Sequence, residues 1–129
     1  MFDQGFDVFR LNFRDHGDTH HMNSGIFHSC RLDEVVHAVK DIQTRTGAKN
    51  WALSGYSLGG NFALRVALAA PSAGLSINQV VAVCPVISPS NAMSRMEQGF
   101  GGYENYFIRK WARSLRLKER QFPDEYEYE

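Results

Sequence analysis

The stretch Ala52-Leu53-Ser54-Gly55-Tyr56-Ser57-Leu58-Gly59-Gly60-Asn61-Phe62 decides how the rest of the chain is interpreted. It contains the pattern Gly-x-Ser-x-Gly at Gly55, Ser57 and Gly59, after an apolar run and before a helical pattern. A strand, a sharp turn and a helix in this order are what a nucleophile elbow requires, because the serine must stand exposed on the turn. Side chains at Gly55 and Gly59 are expected to collide with the neighbouring strand and helix. The alternative is a chance glycine-rich turn between a strand and a helix.

The predicted turn also creates a place for negative charge. The backbone N–H of Leu58 falls at a helix N-terminus, where N–H groups lack helical acceptors and the helix dipole favours anions. An oxyanion formed by attack of Ser57 on a carbonyl can be held there.

The composition predicts one globular domain, and its balanced charge does not indicate a nucleic-acid partner. The chain has 129 residues, 43% of them hydrophobic, and its 14 basic and 14 acidic residues leave no net charge, so no nucleic-acid partner is expected. The two cysteines, Cys30 and Cys84, have neither disulfide-framework nor metal-site spacing, and Cys84 is expected to be buried. No segment has the pattern of a membrane span or a signal peptide, which predicts a cytoplasmic protein, and no cofactor or metal is predicted.

Strands are predicted at three places. Phe6–Phe13 alternates apolar and polar residues with one slip, and Lys49–Ser54 leads into the turn. The segment Ile77–Ile87 contains Val80–Cys84, which does not alternate and therefore predicts a strand buried on both faces of a parallel sheet.

Helices are predicted between and after these strands. One covers Cys30–Thr46, with Ser29 as N-cap and Gly47 at its end, and another runs from Leu58 to Ala70, where Pro71 stops it. Strand and helix alternation indicates an α/β fold.

After Ser88 two further helices are predicted. The first covers Asn91–Gln98 and is broken at Gly99–Gly102. The second has an apolar face surrounded by basic residues. The apolar residues are Tyr103, Phe107, Ile108, Trp111 and Leu115, and the basic ones are Arg109, Lys110, Arg113, Arg116 and Lys118. Such a helix can lie on a membrane, cover a pocket or be an ordinary solvated surface helix.

The loop Asp15–His21 contains three histidines and two aspartates, and it follows the first predicted strand. A metal-dependent hydrolase using this loop is one hypothesis. The order and spacing of these residues do not match the usual His-x-His-x-Asp-His pattern. The second hypothesis is therefore a polar loop that lines a pocket and binds no metal.

Three stretches carry a resemblance to the α/β-hydrolase superfamily, and within it to the YheT-like branch of predicted hydrolases. They are Asn12–Gly17, Gly55–Asn61 and Ser94–Phe100, the last followed by the aromatic and basic helix. The resemblance covers nearly the whole chain but only the middle of the family's domain. It implies the central part of an α/β-hydrolase fold, with three mostly parallel strands and crossover helices in residues 1–87, a helical lid-like segment in 88–120 and an acidic tail in 121–129.

The same resemblance implies Ser57 as nucleophile and the Leu58 N–H as oxyanion donor, acting on a small-molecule ester or lipid. The family's acid and histidine come after the serine, but all five histidines of this chain precede Ser57. We therefore expect a fragment that carries only the nucleophile, is inactive alone, and self-associates through open sheet edges. The alternatives are a non-catalytic truncated hydrolase-fold protein and, less favoured, the metal-dependent hydrolase.

Overall fold

The computed structural model describes residues 1–99 and 101–128, and the chain divides into two compact units. The first unit combines Met1–Phe27 with Ser114–Glu129, and the second consists of His28–Arg113. In chain order the regular elements of the described residues are 3₁₀ helices at Phe2–Gln4 and His20–Met22, α1 at Leu32–Thr46, β1 at Ala52–Tyr56, α2 at Leu58–Ala73, β2 at Gln79–Val83, α3 at Pro89–Gln98 and α4 at Gly101–Gln121.

The second unit is built on a parallel pair of strands. β1 and β2 run side by side with Ala52 opposite Gln79 and Tyr56 opposite Val83. The helix α2 connects them and packs on the sheet, and α1 packs on α2. Its buried apolar residues lie at helical spacing on α1 and α2, together with one residue just after α2. Those on the helices are Val35, Val36, Val39, Phe62, Ala63, Val66 and Ala70, and the last is Leu75. A parallel α/β arrangement is therefore confirmed.

The strand predicted at Phe6–Phe13 is absent, because this segment is irregular in the structure. A strand exists only when a neighbouring backbone supplies its hydrogen-bond partners. In the described part of the chain the sheet contains β1 and β2 alone. Phe6 and Val8 are exposed, so the alternation does not correspond to a buried face.

The prediction that the strand at Val80–Cys84 is buried on both faces is also wrong; this strand corresponds to β2. Residues of β2 alternate between half-buried and exposed, and Val81 is 54% exposed. The cause is the layering, because α2 covers one face of the sheet. An apolar run shows only that a strand is able to be buried on both faces. Whether both faces are buried depends on whether helices cover both sides of the sheet.

Two helix boundaries differ from the predictions. α1 begins at Leu32 without a side-chain cap, so Ser29 is not its N-cap, although Gly47 ends it as expected with φ 63°. α2 continues past Pro71 to Ala73 and ends at Gly74, which has φ 67°. A proline in the last turn removes a single helical hydrogen bond, so the left-handed glycine and not the proline sets the end.

The two later helices are close to their predicted positions. α3 begins at Pro89, two residues before the predicted start, with the proline in the first turn where its missing N–H costs nothing. α4 begins at Gly101. Within the glycine-rich break, Phe100 lies outside the described residues. None of the described helices has both the length and the hydropathy that crossing a bilayer would need.

The first unit contains a buried ion pair that the sequence did not predict. The Nζ of Lys118 lies 2.7 Å from Oδ1 of Asp15 and donates to the carbonyls of His20 and Asn23 at 2.9 and 2.8 Å. The other carboxylate oxygen of Asp15 accepts the N–H of Phe27 at 2.9 Å. Lys118 is only 1% exposed. It was predicted on the basic surface of its helix, and this assignment is wrong.

The acidic tail belongs to the first unit and contacts its N-terminal segment. The hydroxyl of Tyr126 donates to the carbonyl of Ser24 at 2.8 Å, and its ring stacks on that of Tyr128 with centroids 5.7 Å apart. These contacts bring the two ends of the chain together within one unit.

Candidate functional site

Ser57 lies on the turn between β1 and α2 in a backbone conformation that is rare for a residue with a side chain. Its φ is 50° and its ψ is −117°, and the residue is exposed. Such conformations cost about 1–3 kcal/mol and persist only where the surroundings impose them. Because strand and helix meet within one residue, the serine side chain is left outside both elements.

Hydrogen bonds hold this turn from both sides. The N–H of Ser57 donates to the carbonyl of Val83 at the end of β2, at 2.9 Å. Its carbonyl accepts the N–H of Asn61 at 3.1 Å and that of Val86 at 3.3 Å. The side-chain amide of Asn61 then donates to the carbonyl of Val86 at 2.8 Å. The N–H of Ser57 is thus tied to the end of β2, and its carbonyl is tied to the segment that follows β2.

Asn61 is a site residue that sequence reasoning missed. Its position in the stretch around Ser57 predicts no role for its side chain. The available signal was a polar side chain in the first turn of a helix whose other residues there are small or apolar. Its contact with Val86, 25 positions away, depends on tertiary structure.

The glycines around Ser57 have unequal roles. A Cβ at Gly55 would lie 2.3 Å from the carbonyl carbon and oxygen of Gly59, so the prediction for Gly55 agrees with the structure. A Cβ at Gly59 would meet nothing within 4 Å, so the predicted collision there is wrong. The tight second position is Gly60, where a Cβ would lie 3.0 Å from the Gly55 carbonyl oxygen and 3.2 Å from Cβ of Pro85. Close approach of strand and helix therefore requires Gly55 and constrains Gly60.

Leu58 is the first residue of α2. The first hydrogen bond of the helix runs from the N–H of Asn61 to the carbonyl of Ser57, so the preceding N–H groups have no acceptor within the helix. These groups carry the positive end of the helix dipole. The turn at Ser57 therefore combines an exposed hydroxyl with an electropositive helix terminus.

The hydroxyl of Ser57 has no hydrogen-bond partner in the second unit as described, residues 28–99 and 101–113. Two histidines, His28 and His37, belong to that unit, and both are exposed. No general base or supporting acid contacts the serine within it.

Two histidines of the first unit, His16 and His20, have hydrogen-bond partners within it. The Nδ1 of His16 contacts the carbonyl of Arg14 at 2.8 Å, so this nitrogen carries the proton. The Nε2 of His20 is 2.8 Å from the hydroxyl of Ser114. Each ring is oriented by a neighbour within its own unit.

The loop Asp15–His21 does not assemble a set of metal ligands. Asp15 is buried and pairs with Lys118, so its carboxylate is already neutralised. Over residues 1–99 and 101–128, no group of three or more His, Cys, Asp or Glu side chains is arranged to hold a metal ion. The hypothesis of a metal-dependent hydrolase using this loop therefore has no ligand set to support it.

Cys84 is exposed, and the prediction that it is a buried hydrophobe is wrong. It follows the last residue of β2 and has φ 46°, so the chain leaves the strand at this point. A side chain one residue beyond the strand is not covered by the helix layer that covers the strand.

No curated protein and no solved structure matches the chain. A model of the alpha/beta hydrolase fold matches residues 2–120, which is most of the chain. This range includes the parallel strands, the connecting helix and the turn at Ser57. The chain belongs to the alpha/beta hydrolase fold family.

Proposed function

We propose that Ser57 is the nucleophile of a serine hydrolase that cleaves small-molecule carboxylic esters, with the N–H of Leu58 as one oxyanion donor. The observation that supports this most is the conformation of Ser57, exposed and at φ 50° between β1 and α2 in an α/β-hydrolase-fold chain. Strained and exposed serines at strand-to-helix turns are how this fold presents its nucleophile.

The proposed reaction is an acyl transfer. The oxygen of the Ser57 hydroxyl forms a bond to the ester carbonyl carbon, and the carbonyl electrons move to its oxygen, where the Leu58 N–H donates to the oxyanion. Collapse of this intermediate breaks the bond to the alcohol, which leaves with a proton, and an acyl-serine remains. Water then attacks the acyl-serine and releases the carboxylic acid. A general base must accept the serine proton in the first step.

We expect residues 1–129 alone to hydrolyse esters slowly or not at all. No histidine follows Ser57, and within the described second unit none hydrogen-bonds its hydroxyl. Loss of the base or of an oxyanion donor costs orders of magnitude in rate. This same absence of a partner favours the second candidate, a non-catalytic hydrolase-fold protein.

We further propose that the chain belongs to the YheT-like branch and that its substrate is a lipid ester. The support is the stretch Ser94–Phe100 followed by the aromatic and basic helix α4, together with the ester or lipid substrate that the resemblance implies. A helix rich in aromatic rings offers the apolar surface that an acyl chain requires.

A fluorophosphonate probe is expected to label residues 1–129 weakly or not at all, because the probe needs an activated hydroxyl. Labelling is measured by intact-protein mass for the unmodified chain, for Ser57→Ala and for Ser54→Ala, a matched control on the exposed face of β1. Strong labelling that survives in Ser57→Ala would contradict the assignment of the nucleophile. Strong labelling that is lost only in Ser57→Ala would support Ser57 as the nucleophile, and it would contradict the expectation that residues 1–129 are inactive alone.

A thiol in place of Ser57 is expected to ionise at unusually low pH, because the N-terminus of α2 stabilises the thiolate as it would an oxyanion. The experiment compares Ser57→Cys with Ser72→Cys, near the other end of the same helix, after replacing Cys30 and Cys84 with serine. The rate of alkylation by iodoacetamide is followed against pH. Equal midpoints in the two variants would rule out the proposed oxyanion donor.

A further inference from the structure

The helix α4 carries an exposed aromatic face. Rings of Tyr103, Phe107 and Trp111 follow one another at four-residue steps, with centroids 5.0 and 6.1 Å apart. Tyr103 is 55% exposed and Trp111 is 50% exposed. Within the described second unit, α1, α2, β1 and β2 do not pack on this helix, and Tyr103 shares an open cavity with Arg95 and Met96 of α3. These three rings, with Ile108 beside them, form an aromatic stripe.

Three basic residues lie on one flank of the same helix, and Lys110, seven positions after Tyr103, borders the aromatic stripe. Arg109, Lys110 and Arg113 are exposed, and spacings of three and four residues place them on a common face. The Nζ of Lys110 lies 5.4 Å from the ring centroid of Tyr106, so this aromatic residue is drawn into the basic face. The chain as a whole has no net charge. The helix α4 has six basic residues and two acidic ones, Glu104 and Glu119, so positive charge is concentrated on it.

A protein surface of this composition fits an anionic membrane. Helices that lie in a membrane interface have Trp, Phe or Leu on one face and Lys or Arg on the other. Tyrosine and tryptophan rings suit the headgroup region because one edge is polar and the body is apolar. The segment Gly101–Arg113 is about 20 Å long as an α-helix, enough to bury several rings side by side.

A second copy of the chain fits the same surface less well. Pairing two aromatic stripes about a twofold axis would place Lys110 of both copies at the edge of the shared interface. Like charges across an interface are unfavourable unless anions intervene. Lipid phosphates supply the opposite charge at the required density.

We propose that Gly101–Arg113 of α4 is a docking surface for membranes containing anionic lipids, independent of any activity of Ser57. The aromatic stripe enters the headgroup and upper acyl region, Lys110 at its edge contacts lipid phosphates, and Arg109 and Arg113 add longer-range attraction to the anionic surface. Attraction of each cation near such a surface contributes a separate increment to binding.

The test uses the full chain with vesicles of equal parts phosphatidylglycerol and phosphatidylcholine, and with vesicles of phosphatidylcholine alone. In a Trp51→Phe background, Trp111 is the only tryptophan, so its emission reports on this helix. We expect a shift to shorter wavelength with the anionic vesicles, a much smaller one with the neutral vesicles, and reversal at about 1 M salt, where the screening length falls to roughly 3 Å. Co-sedimentation of the unmodified chain provides a second measurement.

Matched variants locate the binding surface. Replacing Arg109, Lys110 and Arg113 with glutamine is expected to weaken co-sedimentation on the order of a hundredfold. Replacing Lys40, Arg45 and Lys49, which are exposed on or just after α1, removes the same charge and is expected to change little. Similarly, Trp111→Ser is expected to weaken binding and Leu68→Ser, at an 84% exposed site on α2, is not.

Three results would overturn the proposal. The first is equal binding to neutral and anionic vesicles, and the second is an equal loss in both triple variants. The third is an absence of vesicle binding, including the case in which sedimentation equilibrium finds a dimer that Trp111→Ser dissociates.

Discussion

Replacing Gly55 with alanine is expected to lower the free energy of unfolding of the second unit by about 3 kcal/mol or more. The new Cβ would lie 2.3 Å from the carbonyl group of Gly59 and 2.7 Å from the N–H nitrogen of Gly60. These are backbone atoms at the start of α2, so no side chain can rotate away. The strand and helix must separate, which also breaks the hydrogen bonds that hold Ser57. Urea denaturation followed by fluorescence and circular dichroism measures the loss.

Gly59→Ala is the matched control, four residues away in the same turn. A Cβ at Gly59 meets no atom within 4 Å, and alanine is a better helix former than glycine. We expect the free energy of unfolding to stay the same or to rise by up to about 1 kcal/mol. If both variants lose the same stability, the close approach at Gly55 is not what this turn requires.

Replacing Lys118 with methionine is expected to cost about 3–5 kcal/mol in the stability of the first unit, because it leaves a buried charge without its partner. The ammonium group donates to the carbonyls of His20 and Asn23, and it forms an ion pair with the Asp15 carboxylate at 2.7 Å. Methionine fills a similar volume but satisfies none of these acceptors. Thermal and urea unfolding of the full chain measure the effect.

Arg116→Met removes a positive charge from the same helix at an exposed position, and we expect it to change stability by less than about 0.5 kcal/mol. The double variant Asp15→Asn, Lys118→Met removes both charges and is expected to cost less than the two single variants added together. Additive losses would mean that Asp15 and Lys118 stabilise the unit separately rather than as a pair.

Local patterns in the sequence determined the elements around Ser57. The valines Val35, Val36 and Val39 recur at helical spacing, and they are the buried face of α1. Gly47 ends that helix because only glycine adopts a left-handed conformation without cost. The succession of strand, serine and helix followed from residues adjacent in the chain, and so did the membership of the α/β-hydrolase fold family.

Tertiary structure decided everything that depends on what covers or pairs with a segment. Phe6–Phe13 has a strand-like pattern, but the sheet of the described residues gives it no backbone partner. Val81 and Cys84 are apolar enough to be buried, yet α2 covers one face of the sheet and they are exposed. Lys118 has the sequence environment of a surface lysine and is buried because Asp15, 103 positions earlier, offers it a carboxylate.

The difference has one physical cause. Helix periodicity, glycine conformation and a strand-to-helix turn are set by interactions within a few residues, so the sequence alone determines them. Burial, strand pairing and ion pairing require a partner that is distant in the chain, and their energies depend on which surfaces come into contact. Which glycine of the turn is sterically required belongs to the second class, because only the packed strand and helix show that Gly55 and Gly60 touch backbone or Pro85 while Gly59 does not.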